Sequence, residues 1–245
     1  MRFALNVSLC CMILLPHFHG NNAFAEKRLR VLVVTGGHSF DQAPFEGMFK
    51  EEASLECVFL ALQDESEVFE DISNWSYDVL VLYNMTQEIP AQRRRHFLDL
   101  LEQGLGLVVL HHGMAAFNEW PEYRKIIGAA YRLTDTEEEG VLYRKTQWKI
   151  GVEMPMHVED PSHPIIAGVQ DFAILDETYK GYDLEPDNQL LLSCGEPRSQ
   201  HEVAWARRYG NAKVCTIQPG HGPTVFSDEN YRRMVIQALR WVAPE

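Results

Sequence analysis

The chain has little positive charge. Lysine and arginine number 22 against 35 aspartates and glutamates, a formal net charge of −13. Phosphate backbones are held by clustered cations, so nucleic acid is excluded as a partner. The basic run Arg93-Arg94-Arg95 sits in a helical pattern and reads as a solvated face. Beyond Leu15 no stretch is long and apolar enough for a membrane helix, so the mature chain is expected to have no integral membrane segment. Cysteine is scarce, five in 245 residues. Cys57, Cys194 and Cys215 lie far apart, which suits neither a disulfide framework nor a zinc knuckle. Cys57 and Cys215 fall inside strand-like runs as small buried hydrophobes, with one disulfide among the three left open. The dinucleotide fingerprint G-x-G-x-x-G is missing, because "GGHSFDQAP" has no third glycine in place, and there is no Walker loop. No nucleotide cofactor is expected.

What is present begins with a leader. Arg2, the apolar stretch Ala4 to Leu15 and the triplet Ala23-Phe24-Ala25 form the three-part layout of a secretory signal peptide. Residues 1–25 are expected to be removed, taking Cys10 and Cys11 with them. Residues 26–245 then form one exported domain, periplasmic or extracellular.

From Arg28 the pattern alternates between strand and helix. "RLRVLVVT", "LECVFLAL", "YDVLVLY" and "GLVVL" read as strands; "QAPFEGMFKEEA" and "AQRRRHFLDLLEQ" read as helices, the latter entered at Pro90 and left at Gly104. Short apolar strands separated by helices predict an α/β domain with a doubly wound, mostly parallel sheet. After Pro121 the rhythm changes. "VLYRKTQWKIGVEM" alternates with period two, as an exposed antiparallel strand in a hairpin does. "LLLS", "VAWARRYG" and "KVCTIQ" are further strands, and "ENYRRMVIQALRWV" closes the chain as an amphipathic helix.

In open α/β sheets ligands bind beyond the carboxyl ends of the strands. Those ends carry Gly36-Gly37-His38, Asn84, His111-His112-Gly113, Asp176-Glu177-Thr178-Tyr179 after "FAIL", and Pro219-Gly220-His221-Gly222. The turn "VVLHHGMAAF" occupies the place of a nucleophile elbow, where a hydrolase has serine or cysteine. Here it has two imidazoles, which disfavours covalent acyl chemistry. Imidazole at such a rim serves as metal ligand, general base or hydrogen-bond donor to sugar hydroxyls. Three or more histidines with a carboxylate suit a divalent metal such as zinc, although no H-E-x-x-H pair supports it. His163, before Pro164, reads as a loop brace; His96, His157 and His201 read as surface residues.

"VVTGGHSF", "DVLVLYNM", "GLGLVVLHHGMAAFNEWPEYRKIIG", "SHPIIAG", "ILDETYKGY", "VAWARRYG", "QPGH" and "ALRWV" together resemble the ThuA-like (trehalose utilisation) family. The resemblance spans about residues 28 to 243. It implies a flavodoxin-like, class I glutamine amidotransferase-like fold and a role in carbohydrate metabolism, on sugars oxidised to 3-keto forms. It places His38, Asn84, His111, His112, Glu177, Tyr179 and His221 at one strand-end site. Two segments depart from the family: Ala212-Lys213 in "YGNAKV" puts an arginine anion contact in doubt, and Gln218-Pro219 in "IQPGHG" alters the pocket.

The expected catalytic residues are His112, Glu177 and His38. The expected substrate contacts are Asn84, His111, Tyr179, Trp120 and His221, with a small-molecule carbohydrate as ligand. Trp120, Tyr123 and Trp205 are candidates for a sugar-stacking wall, core packing being the alternative for each. The metal, if one is used, falls to His38, His112 and His221. The function expected is that of a glycoside or 3-keto-glycoside lyase or hydrolase without a covalent nucleophile. The alternatives are a non-catalytic sugar-binding or accessory protein, and a cysteine-dependent amidotransferase-like hydrolase.

Overall fold

A computed structural model describes residues 28–244; the leader read over residues 1–25 lies outside the described residues. Strand β1 (Leu29–Gly36) buries Val31 and Val33 in one core and Leu32 and Val34 in another. That is the signature of a strand covered on both faces. Helix α1 (Gln42–Lys50), β2 (Leu55–Ala61), β3 (Val79–Asn84), α2 (Ala91–Glu102) and β4 (Gly106–Leu110) follow. A 3₁₀ turn, His111–Ala115, leads to α3 (Pro121–Ile127) and the short strands β5 (Ala129–Ala130), β6 (Thr136–Glu138) and β7 (Val141–Tyr143). The long strand β8 (Gln147–Val158) pairs with β9 (Phe172–Lys180). Next come β10 (Asp183–Leu184), β11 (Gln189–Cys194), β12 (Glu202–Tyr209), β13 (Ala212–Ile217), α4 (Pro223–Phe226) and α5 (Glu229–Val242).

Nine of these strands form one mixed sheet in the order β2-β1-β3-β4-β13-β12-β11-β8-β9. The run β2-β1-β3-β4-β13 is parallel throughout, and its order is that of flavodoxin-like sheets. From β13 outward every pairing is antiparallel.

Helices α1, α4 and α5 cover one face through Phe45, Phe226, Tyr231 and Leu239. Helices α2 and α3 cover the other through Phe97, Leu101 and Ile126. In α5, Met234, Val235, Ala238, Leu239 and Val242 recur at helical spacing and are all buried. Asp228 caps that helix, its carboxylate accepting from the Tyr231 amide at 2.9 Å. No helix among the described residues is long and apolar enough to cross a membrane.

The β8–β9 ribbon decides where the site forms. Only Met156–Val158 of β8 pairs with β11, whereas β8 and β9 stay paired from Met156–Phe172 out to Gln147–Lys180. The outer half of the ribbon therefore projects past the sheet. It brings the end of β9 to the carboxyl edge of β4 and β13, where Glu177 meets His111. Asp176 to Tyr179 lie inside β9 rather than after a strand ending at "FAIL". The apolar run stops there because these side chains are buried among polar partners, not because the strand ends.

Candidate active site

Strand β4 delivers His111 at its end in a left-handed backbone, φ +37°. A non-glycine residue held there stores roughly 1–3 kcal/mol of strain. The turn that follows is pressed against β3: a Cβ on Gly113 would stand 2.5 Å from the Leu82 carbonyl oxygen. Only glycine lets the two backbones approach so closely. The elbow thus has the geometry of a strained strand-to-helix turn, with an imidazole at its apex.

His111 is fully buried and held at both nitrogens. Nδ1 lies 2.6 Å from the Gln218 carbonyl oxygen, so it donates there. Nε2 faces Glu177 Oε2 at 3.0 Å and the Tyr179 hydroxyl at 2.9 Å. The Tyr179 ring stacks on the imidazole, centroids 4.5 Å apart. Burial holds the Tyr179 phenol well above its ordinary pKa, keeping it neutral. His221 Nδ1 stands 3.0 Å from the same Glu177 oxygen, at an angle that makes an ion-pair contact rather than a hydrogen bond. Burial alone would raise the Glu177 carboxyl, but His111 and then His221 outweigh it and hold it at about 2. Glu177 in turn raises His221.

His112 differs from its neighbour. It is 2% exposed, and neither ring nitrogen has a hydrogen-bond partner among the described residues. Burial, then His111, His38 and His221, push its pKa far down, so it is a neutral imidazole with an unshared lone pair. Its ring lies 4.2 Å from that of His38 and 5.5 Å from that of His221. One ligand atom each from His111, His112, Glu177 and His221 comes within 4.8 Å of the others. This donor set takes in His111 and Glu177, and His38 is not one of the four. His38 is exposed and donates Nδ1–H to the Ser39 carbonyl at 2.7 Å, which leaves Nε2 bare.

These groups open onto a cavity of about 580 Å³, lined by His38, His112, Glu177, Tyr179 and His221 within and by Tyr131 and Trp148 farther out. Three expected contacts do not line it: His111, fully buried behind Glu177 and Tyr179, Asn84 and Trp120. Asn84 is buried behind the site, donating to Thr86 Oγ1 at 2.7 Å. Trp120 belongs to the core beneath α2 and α3, stacked on Tyr123 at 6.3 Å and under the Arg94 guanidinium. Trp205 is likewise core, donating Nε1–H to the Ile127 carbonyl. His163 braces its loop by accepting from the Ile165 amide.

Two residues of the site carried little signal in sequence. Gln218, read there as a change in pocket shape, is fully buried. Its carbonyl holds His111, and its side chain donates to the Glu177 carbonyl at 3.0 Å. Asp176 accepts from the amides of Gly220 and His221 at 2.7 and 3.0 Å and so fixes the loop that presents His221. A polar residue directly after "KVCTI" and paired acids inside an apolar run were the available cues. The three cysteines Cys57, Cys194 and Cys215 are free, and none lines the cavity.

The fold has close counterparts among solved structures. A ThuA-like protein from Parabacteroides merdae superposes with a TM-score of 0.72 at 18% identity, over 88% of this chain and 90% of that one. A ThuA-like protein from Bacteroides uniformis gives 0.64 at 20% identity, over 91% and 95%. PurLQS from Thermotoga maritima gives 0.53 at 13% identity, over 87% and 99%. The architecture is thus glutamine amidotransferase-like, without a cysteine at the elbow. No curated protein matches the chain. The family model ThuA, described as trehalose utilisation, matches residues 30–242. The chain therefore belongs to the ThuA family, a membership that points to carbohydrate utilisation.

Proposed function

We propose that this cluster is the active site of an enzyme that cleaves a glycoside in its 3-keto form, by lyase or hydrolase chemistry without a covalent nucleophile. The observation that carries the reading is a cavity lined by three histidines, His38, His112 and His221, and by the Glu177 carboxylate, with buried His111 behind them and no serine or cysteine in the described lining. A ketone at C3 acidifies the hydrogen on C2. His38, its Nδ1 occupied by Ser39, offers Nε2 to take that proton. The C–H electron pair becomes the C2–C3 double bond of an enolate. Its collapse breaks the glycosidic bond at C1, and the protonated imidazole returns its proton to the leaving oxygen. Addition of water to the unsaturated product completes a net hydrolysis.

Glu177, Tyr179 and Gln218 fix the orientation of His111 behind the rim, and Asp176 fixes the loop that presents His221 to the cavity. His111, His112, Glu177 and His221 also fit a borderline divalent cation such as zinc. The unshared lone pair of neutral, buried His112 supports that fit. Such an ion, when bound, polarises the carbonyl.

Incubation with 3-keto-trehalose and simple 3-keto-glycosides in D₂O, followed by NMR with and without a chelator, tests the reading. The expected result is sugar release with deuterium uptake at C2, lost on chelation and restored by zinc. Release of a sugar that keeps its original hydrogen on C2 overturns proton abstraction. Chelator-insensitive release discards the metal and keeps the enzyme. No release from any substrate favours a sugar-binding protein. The leader makes this an exported activity; N-terminal sequencing of the mature protein, with Glu26 expected first, checks that.

A further inference from the structure

The cavity does not end at the histidines. Its outer wall is Trp148, Ile150 and Leu133, all exposed large hydrophobics, with Trp148 62% exposed. An indole left in water at the mouth of a polar pocket gains nothing for the fold. Burying its face against a ligand removes that apolar surface from water.

The ribbon explains why Trp148 stands there. Trp148 pairs directly with Tyr179 across β8 and β9, so the two share a face of the ribbon. Tyr179 is the residue that reaches His111. Beyond Lys149 the register shifts, and Gly151 takes a positive φ of +70° with no atom within 4 Å of where its Cβ would be. This bulge bends the strand and aims Trp148 and Ile150 at the mouth. Tyr131, packed edge-on to Tyr179 at 4.9 Å, continues the wall inward.

We propose that Trp148 is the platform of a leaving-group subsite, on which a ring attached through the glycosidic oxygen stacks by its flat apolar face. This rests on the reading of the cluster as a glycoside-cleaving site and adds its substrate class: glycosides whose leaving group is itself a ring, a second sugar or an arene. Continuity carries the choice of occupant. One cavity joins the reacting groups to Trp148, and about 580 Å³ exceeds what a single monosaccharide fills. Lys145, Thr146 and Gln147 stand beside the indole as polar groups for ring substituents.

The test compares wild type with Trp148→Ala and Trp148→Phe by calorimetric binding of trehalose, 4-nitrophenyl glucoside and methyl glucoside. Binding is read without turnover, so failure of the subsite and failure of the chemistry are separable. The preference for ring-bearing over methyl glycoside should fall about tenfold in Trp148→Ala and return in Trp148→Phe. Loss for trehalose alone assigns the subsite to a sugar, and loss for the nitrophenyl glycoside alone assigns it to an arene. An unchanged preference, or no binding of either ring-bearing probe to wild type, overturns the proposal. So does a wild-type dimer, seen by sedimentation, that Trp148→Ala dissolves, since the wall then belongs to a second copy.

Discussion

Tyr179 holds His111 twice, by stacking its ring at 4.5 Å and by placing its hydroxyl 2.9 Å from Nε2. The two contacts separate cleanly on substitution. Tyr179→Phe keeps the stack and removes the hydroxyl, so the fold should lose no more than about 1–2 kcal/mol. Turnover should fall roughly 10- to 100-fold, as when a partner that orients an active imidazole is removed. Urea unfolding and keto-glycoside kinetics on one preparation check both. Equal turnover in the variant would make the hydroxyl a packing feature only.

Gly113→Ala places a methyl group against the Leu82 carbonyl, which belongs to a central strand and cannot move aside. A destabilisation of about 1–3 kcal/mol is expected. The turn should shift with it, and activity should fall further than stability alone explains. Thermal unfolding together with activity measured well below the melting point separates the two effects.

Asp176→Asn keeps one acceptor for the Gly220 and His221 amides and turns an NH₂ toward the other. An unpaired buried donor costs roughly 1–3 kcal/mol. The loop that carries His221 should loosen, which hydrogen exchange at Gly220 and His221 would report as reduced protection. Unchanged protection would mean that the loop is held by Tyr83 and Tyr231, whose hydroxyls donate to the Gly220 and Pro219 carbonyls.

The thiols should be silent. Burial pushes Cys57 up to about 11 and raises Cys194 and Cys215 as well. At pH 7.5 Cys57 is therefore thiolate in roughly one molecule in three thousand. Iodoacetamide at that pH should leave all three unmodified by mass spectrometry and activity intact, with Cys57 labelling growing as the pH approaches 11. Rapid labelling that abolishes turnover would revive a cysteine-dependent hydrolase.

Much of this architecture was legible in the sequence, because it rests on local signals. The parallel strands are short apolar runs, α5 has its helical spacing, and the elbow is visible as apolar residues stopping at two histidines. What escaped depends on curvature. Nothing local says that β9 continues through Asp176 to Tyr179, since four polar or amphipathic residues after an apolar run look like a loop. Trp120 and Trp148 look alike as letters, yet α2 and α3 bury the first while the projecting ribbon exposes the second. Gln218 acts mainly through its backbone carbonyl and side-chain amide toward residues far away in sequence, and no spacing rule anticipates that.

The placement of β13 has a consequence for how the protein comes into being. Leu107–Leu110 pair with Val214–Ile217, so one of the sheet's central seams closes over about a hundred intervening residues. Parallel pairings across such separations form slowly, after local hairpins and helices have appeared. His112 waits on one side of that seam and His221 on the other. A nascent or refolding chain caught before the seam closes carries most of the protein's helices and hairpins and none of the assembled histidine cluster.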